Sequence, residues 1–257
     1  MTEKCRVCQQ PSDVVLFTEH ILNEDVTFSE CRYCSYVQTQ LPTWLELAYK
    51  SVINHCDTGI LLRNQINIGV VLASLSIIGK RGGRVIDCAG GYGILVRLLR
   101  DRGIEALWSD PYCTNLMAVG FEYAGEQADL VTAFEAFEHF VDPIMEMESL
   151  LSVGPNLLIS TTLIPQPSPS ADAWWYYGIN HGQHVGFFRK KTLDFLAHKF
   201  KKSLTTDGQC YHLFSEHPVS AAKWRLTTRI ARRFPSLFTY ALRSKTWSDF
   251  EKMSNLQ

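Results

Sequence analysis

The run Val85-Ile86-Asp87-Cys88-Ala89-Gly90-Gly91-Tyr92-Gly93 restricts the possible folds of this chain more tightly than any other stretch. A short apolar stretch ends on a carboxylate and passes into a glycine-dense turn. Then comes Gly93 to Arg102, an amphipathic helical pattern stopped by Gly103. Strand, turn and helix in that order open an α/β sheet, because glycines take φ angles closed to other residues and let backbone approach a ligand. Asp110 ends the next strand-like run, where a carboxylate accepts hydrogen bonds from ribose hydroxyls.

Two cofactors fit such a turn, a nicotinamide dinucleotide and S-adenosylmethionine. A dinucleotide requires G-x-G-x-x-G, whose last glycine permits close helix–strand packing around the pyrophosphate. Here Gly91-x-Gly93 is followed by Ile94, Leu95 and Val96, so the third glycine is missing. Asp87, at the end of the strand before the turn, stands where it holds a cationic amino group, which favours S-adenosylmethionine.

The pattern around the turn alternates. Helices are expected over Trp44 to Ser51, Asp57 to Ile78, Asp142-Pro143 to Leu151 and Lys190 to Phe200. Strands are expected over 84–88, 106–110, 118–123, 129–134 and 156–161, then a closing pair over 203–206 and 210–215. The fold class is therefore α/β, a mostly parallel Rossmann-like sheet with an antiparallel edge hairpin.

Residues 84–110 resemble the first two motifs of class I methyltransferases, in which an acidic residue precedes G-x-G-x-G. Ala89 stands where the first glycine normally does. Residues 128–140, including Phe134, Glu135 and the Glu138-His139 pair, are similar to the fourth strand and following E-H pair of the ubiquinone-methyltransferase-like branch. The resemblance spans about 57 to 215. It implies S-adenosylmethionine held by Asp87, Ala89, Gly90, Gly91, Gly93, Asp110, Phe134 and Glu135, and a pocket bordered by His139. Tyr49, Thr58, Gly59 and Arg63 precede the sheet where this branch closes over the cofactor, and Arg63 is placed to pair with the methionine carboxylate. The family usually carries a helix between the third and fourth strands, and only a few residues join Phe121 to Asp129 here.

Residues 1–41 read as a separate module. Cys5-x2-Cys8 and Cys31-x2-Cys34 stand at the two ends of one intervening loop, the arrangement of a closed four-thiolate zinc site. A segment this small cannot bury enough apolar surface alone, and structural Zn2+ supplies the missing free energy. Cys56, Cys88, Cys113 and Cys210 are scattered. With no signal-peptide pattern and no unbroken apolar run of membrane-spanning length, the reading is a reducing cytoplasm.

The methyltransferase unit is expected over 42–217. Beyond its loop Pro165 to Ser170 lies Trp174-Trp175-Tyr176-Tyr177, then His181, Gln183 and His184. Aromatic faces beside hydrogen-bonding groups suit a sugar ring or a flat heterocycle, so Trp175, Tyr176, Tyr177, His181 and Gln183 are candidate substrate contacts. The same loop also reads as an aromatic lid over the sheet edge. A hydroxyl acceptor needs a base, and His139 and His184 are the candidates.

Residues 218–257 interleave Lys223, Arg225, Arg229, Arg232, Arg233, Arg243 and Lys245 with Trp224, Leu226, Ile230, Phe234, Leu237, Phe238 and Tyr240. Such helices lie on an anionic membrane or pack on their own domain or on a second copy of it. The net charge of -1 argues against nucleic acid as the partner. The combination is similar to bacterial sugar and surface-polysaccharide methyltransferases, though these commonly carry a further large domain, and it implies a small-molecule or glycan acceptor. Zinc-finger RNA methyltransferases and a non-catalytic binding module on the same fold are the rival readings.

Overall fold

The computed structural model describes residues 3–49 and 57–255. Cys56 and the end of the helix expected to reach Ser51 lie outside the described residues. β1 (Val14–Ile21) and β2 (Glu24–Glu30) form a hairpin that turns at Leu22-Asn23. β3 (Val37–Thr39) pairs antiparallel with β2, and the short α1 (Leu45–Ala48) leads away from it.

α2 (Ile60–Ile77) follows. It is the one helix among the described residues long and apolar enough to cross a membrane, and its stretch Asn67 to Leu75 is buried within the protein. β4 (Val85–Cys88), α3 (Ile94–Arg100) and β5 (Ala106–Ser109) form the expected strand–turn–helix–strand unit. Residues 118–123 do not form the strand expected of them. Gly120 takes φ 86°, which no extended strand tolerates, and only Glu122 bridges to Trp108 beside β5.

The chain continues through β6 (Leu130–Phe134), α4 (Pro143–Val153), β7 (Leu157–Ser160) and the two-residue β8 (Gly186–Phe187). α4 begins as its sequence demands: Asp142 Oδ1 accepts from the backbone N–H groups of Ile144 and Met145, with Pro143 next. α5 (Lys190–Lys199), β9 (Ser203–Thr206), β10 (Tyr211–Ser215), α6 (Ala221–Arg233), α7 (Ser236–Thr239) and α8 (Thr246–Ser254) complete it.

The main sheet runs β5-β4-β6-β7-β10-β9. Its first four strands are parallel, and β10 is antiparallel to both neighbours. Adjacent residues on one strand feed opposite cores. Ile86, Val131 and Leu157 face α4 and α5, while Val85, Leu130 and Leu158 face α2 and α3. Strands covered on both faces read as unbroken apolar runs, as these do. The connection after β4 runs one way along the sheet to β5 and that after β6 runs the other way to β7, so a crevice opens beyond the carboxyl ends of β4 and β6.

The N-terminal module is not self-contained. Its sheet is four-stranded, β1-β2-β3-β8, and the fourth strand comes from the far end of the aromatic loop. Arg189, after β8, is buried and donates to Ile164 and Pro165 carbonyls, Ser168 and Glu30. The boundary expected at residue 41 therefore separates chain but not packing.

The C-terminal helices cover α2 and α3. Gly69 lets α6 approach: a Cβ there would lie 2.7 Å from Arg232 Cα. Trp224 is buried and donates its indole N–H to Ser74 Oγ at 3.1 Å. Asp249 on α8 accepts two bonds from Arg100 (2.7 and 2.8 Å) and one from Arg97 (2.9 Å), a largely buried cluster that pins the tail.

Candidate active site

A cleft of about 890 Å³ lies at the carboxyl ends of β4 and β6. Ala89, Gly90 and Gly91 form one wall. Gly90 has no room for a side chain, since a Cβ would meet the Trp108 ring at 2.6 Å, and Trp108 Nε1 donates to the Gly91 carbonyl at 2.9 Å. Ala89 sits at φ 78°, the left-handed region where glycine is the comfortable residue. The alanine thus holds the backbone shape that the first motif glycine normally supplies.

Asp87 is buried at the floor, and Thr132 Oγ1 donates to its Oδ1 at 2.6 Å. Burial pushes the Asp87 carboxyl up to about 7, against the pull of that hydrogen bond. Phe134 and Glu135 line the cleft beyond β6. Glu135 takes φ 49° and accepts from Ser160 Oγ at 2.6 Å.

Two expected cofactor contacts sit elsewhere. Asp110 lies behind the turn and outside the lining, its carboxylate accepting from the N–H groups of Gly91 (2.9 Å), Tyr112 (2.8 Å) and Cys113 (3.0 Å). It braces the turn that the ligand would meet. Gly93, at φ 82°, caps α3 and is also outside the lining. Arg63 does line the cleft, but its guanidinium is held in a two-point ion pair by Asp57, at 2.6 and 2.5 Å.

The opposite wall is the aromatic loop. Trp175 is 81% exposed and overhangs the cleft. Tyr176 lines it while fully buried, and its hydroxyl donates to Glu138 Oε1 at 2.7 Å. Tyr177, expected as a substrate contact, is not in the lining. It packs among Phe17, Phe28 and Phe187 in the module's core, because β8 pulls this part of the loop onto that sheet. His181 and Gln183 line the cleft. Gln183 Nε2 donates to the Ala48 carbonyl, and its backbone N–H donates to His181 Nδ1.

His139 and His184 meet edge to face, with ring centroids 4.7 Å apart. His184 Nδ1 is 2.6 Å from the Tyr176 carbonyl oxygen, and His139 Nδ1 is 3.1 Å from that of Gln183. A carbonyl only accepts, so each Nδ1 carries the ring proton and each Nε2 keeps its lone pair. The Tyr49 oxygen, 2.8 Å from His139 Nδ1, shares that proton. Desolvation pulls His139 down to about 4 and His184 well below its ordinary range, so both rings are neutral near pH 7. Glu138, close to both in the wall, is pushed up to about 8 by burial and by nearby Glu135.

Three side chains at the site, Glu138, Asp57 and Thr132, are missing from the set expected on sequence grounds. The E-H pair marked Glu138. Nothing local to Asp57 or Thr132 signals their partners, and nothing near Tyr49 signals its contact with His139.

The four N-terminal cysteines converge. Cys5 and Cys34 sulfurs are 3.5 Å apart, Cys8 and Cys31 sulfurs 3.4 Å, and all four lie within 4.8 Å of one another. Thiolates on a tetrahedral ion with bonds of about 2.3 Å lie roughly 3.8 Å apart, so this donor set fits zinc with no position left open.

Residues 68–201, just over half of the chain, match the family model described as a methyltransferase domain. The chain belongs to that family. No curated protein sequence matches it. Among solved structures it is similar to an O-methyltransferase family protein from Burkholderia thailandensis, at 14% identity and TM-score 0.43, covering 59% of this chain and 56% of that one. It is also similar to TnmH, at 18% and 0.45, covering 68% and 62%. A third is 1,6-didemethyltoxoflavin-N1-methyltransferase from B. thailandensis, solved with bound 1,6-didemethyltoxoflavin and S-adenosylhomocysteine, at 15% and 0.48, covering 77% and 97%. The chain spans little more than half the length of the first of these relatives.

Proposed function

We propose that this methyltransferase-family chain binds S-adenosylmethionine on the Ala89-Gly90-Gly91 wall and methylates a hydroxyl of a sugar or glycan held against the aromatic–histidine wall. The observation that carries the reading is that both walls open on one cleft, with the buried Asp87 carboxyl at its floor. Two buried carboxyls, Asp87 and Glu138, face that space without a cationic partner among the described residues, which suits a ligand bearing positive charge. Asp87 is placed for an ammonium group, and Arg63 for a carboxylate once Asp57 shares it.

S-adenosylmethionine supplies an electrophilic methyl group, so the protein's task is alignment more than chemistry. Trp175 offers an apolar face to the acceptor. His181 and Gln183 flank it, and His139 or His184 takes the acceptor proton at Nε2. Isothermal titration with S-adenosylmethionine and S-adenosylhomocysteine tests this. Micromolar binding of both is expected, and no binding by the folded protein overturns it in favour of a non-catalytic module.

Under the same reading Cys5, Cys8, Cys31 and Cys34 hold a structural Zn2+ that orders residues 1–41. The methyltransferase unit spans 42–217, and 218–257 is an extension of it. Leu226 and Ile230 on α6, and Phe234 just after it, are exposed beside Arg225, Arg229 and Arg233, which supports peripheral contact with an anionic membrane from the cytoplasmic side. Sedimentation with anionic and with neutral vesicles tests that contact.

A further inference from the structure

Glu138, His139 and His184 meet in the histidine wall, and each keeps an acceptor atom for which the described residues supply no donor. Glu138 is fully buried, and its Oε2 has no hydrogen-bond partner among the described residues. Beside it stand the His139 and His184 rings, whose Nδ1 protons are committed to backbone carbonyls. One ligand atom from each of the three side chains lies within 4.8 Å of the other two. A proton on Oε2 would bridge it to one imidazole and leave the other lone pair unmet. A single cation serves all three.

We propose that Glu138 Oε2, His139 Nε2 and His184 Nε2 form a site for one divalent transition-metal ion at the acceptor end of the cleft. The outer atoms of all three ligands are already fixed as metal ligands require. Tyr176 fixes two of them: its hydroxyl donates to Glu138 Oε1 at 2.7 Å, and its carbonyl accepts from His184 Nδ1 at 2.6 Å. The Gln183 carbonyl accepts from His139 Nδ1. The aromatic at position 176 therefore acts as a clamp on the ligand set as well as a wall.

Two imidazoles and one carboxylate select zinc, manganese, iron(II) or cobalt over magnesium and calcium, which prefer oxygen alone. Three protein ligands leave coordination positions open, and all three side chains line the cleft. An acceptor hydroxyl bound at such a position would become more acidic and lose its proton to solvent in the open cleft, so with the ion in place neither histidine serves as the base. This role rests on the methyltransferase reading, but the site itself does not. It also differs in kind from the four-cysteine cluster, which is closed.

The test is a Co2+ titration of the full chain carrying one equivalent of zinc, followed by calorimetry and absorption. One further ion per chain is expected, giving d–d bands without the thiolate charge-transfer band that cobalt on the cysteines would produce. Mg2+ in large excess should not displace it. Glu138→Gln and His184→Ala should each weaken binding by about 100-fold or more, and Tyr176→Phe by about 10- to 100-fold. Should those variants fail to fold, pulsed EPR of the wild-type protein loaded with Mn2+ decides alone, by imidazole nitrogen couplings. Absence of a second ion, or of those couplings, overturns the proposal. Parallel titration with S-adenosylhomocysteine separates the two readings. A protein that binds the nucleoside but no second metal sinks only the metal site, and the reverse sinks only the methyltransferase reading.

Discussion

The two walls of the cleft are built in opposite ways. The turn wall is one contiguous stretch, Asp87 to Tyr92, held by its neighbours: Asp110 under Gly91, Trp108 against Gly90, Thr132 on Asp87. The aromatic–histidine wall is assembled from distant chain. Tyr176 reaches Glu138, Gln183 reaches Ala48, and β8 completes a sheet whose other strands lie before residue 40. The first wall is a local motif, and the second is a product of docking the cysteine module. Damage to the module should therefore spread to acceptor chemistry before it reaches cofactor binding.

Cys34→Ser puts the greatest strain on that contrast. If the four cysteines hold zinc as proposed, the ion supplies on the order of 10 kcal/mol to the module, and its loss should melt β1–β3 and release β8, abolishing methyl transfer. Affinity for S-adenosylhomocysteine should change by no more than about threefold, under about 1 kcal/mol. Equal collapse of both, read by calorimetry and an activity assay, would show that the walls form one unit. His184→Ala comes next, cutting kcat by about 10²–10⁴ while leaving nucleoside affinity intact.

Neighbouring aromatics separate the walls more finely. Tyr177→Ala empties the module's core and should cost about 3–5 kcal/mol in urea unfolding. Trp175→Ala should stay within about 0.5 kcal/mol yet raise the acceptor KM. On the turn wall, Asp87→Asn should weaken S-adenosylmethionine about 10- to 100-fold, the worth of a charge-assisted hydrogen bond of about 1.5–3 kcal/mol. Because the folded Asp87 carboxyl titrates near 7, it is mostly neutral below that pH. Binding that needs the anion must expel a proton there, so affinity should climb about tenfold per pH unit up to about 7 and then level off. The Asn variant should show a flat profile. The smallest effect is a gain: Ala89→Gly should stabilise the protein by about 1 kcal/mol, since alanine at φ 78° is strained.

Much of the turn wall was legible in the chain's own pattern. β4, α3, β5, β6 and β7 fall within a residue or two of their sequence-derived bounds, because apolar period and glycine placement act locally. The misplaced strand at 118–123 marks the limit, since its apolar residues read as extended while Gly120 bends the backbone. Within the candidate site, Asp87, Ala89, Gly90, Gly91, Phe134 and Glu135 line the cleft. Asp110 was found at the right strand end, but its carboxylate turns toward three backbone N–H groups. Spacing locates a residue along the chain and does not say which way its polar atoms point.

The alternation of strand and helix, the left-handed turn at the end of β4 and the pairing of the four thiols were all written in the residue order. Each depends on backbone torsion, side-chain period or ligand spacing within a short stretch. Other outcomes required the folded molecule: Tyr177 packs in a core while Trp175 overhangs a cleft, and β8 joins the N-terminal sheet. The meeting of Glu138, His139 and His184 belongs with them. These depend on contacts between residues far apart in sequence, whose geometry exists only after the two sheets have docked.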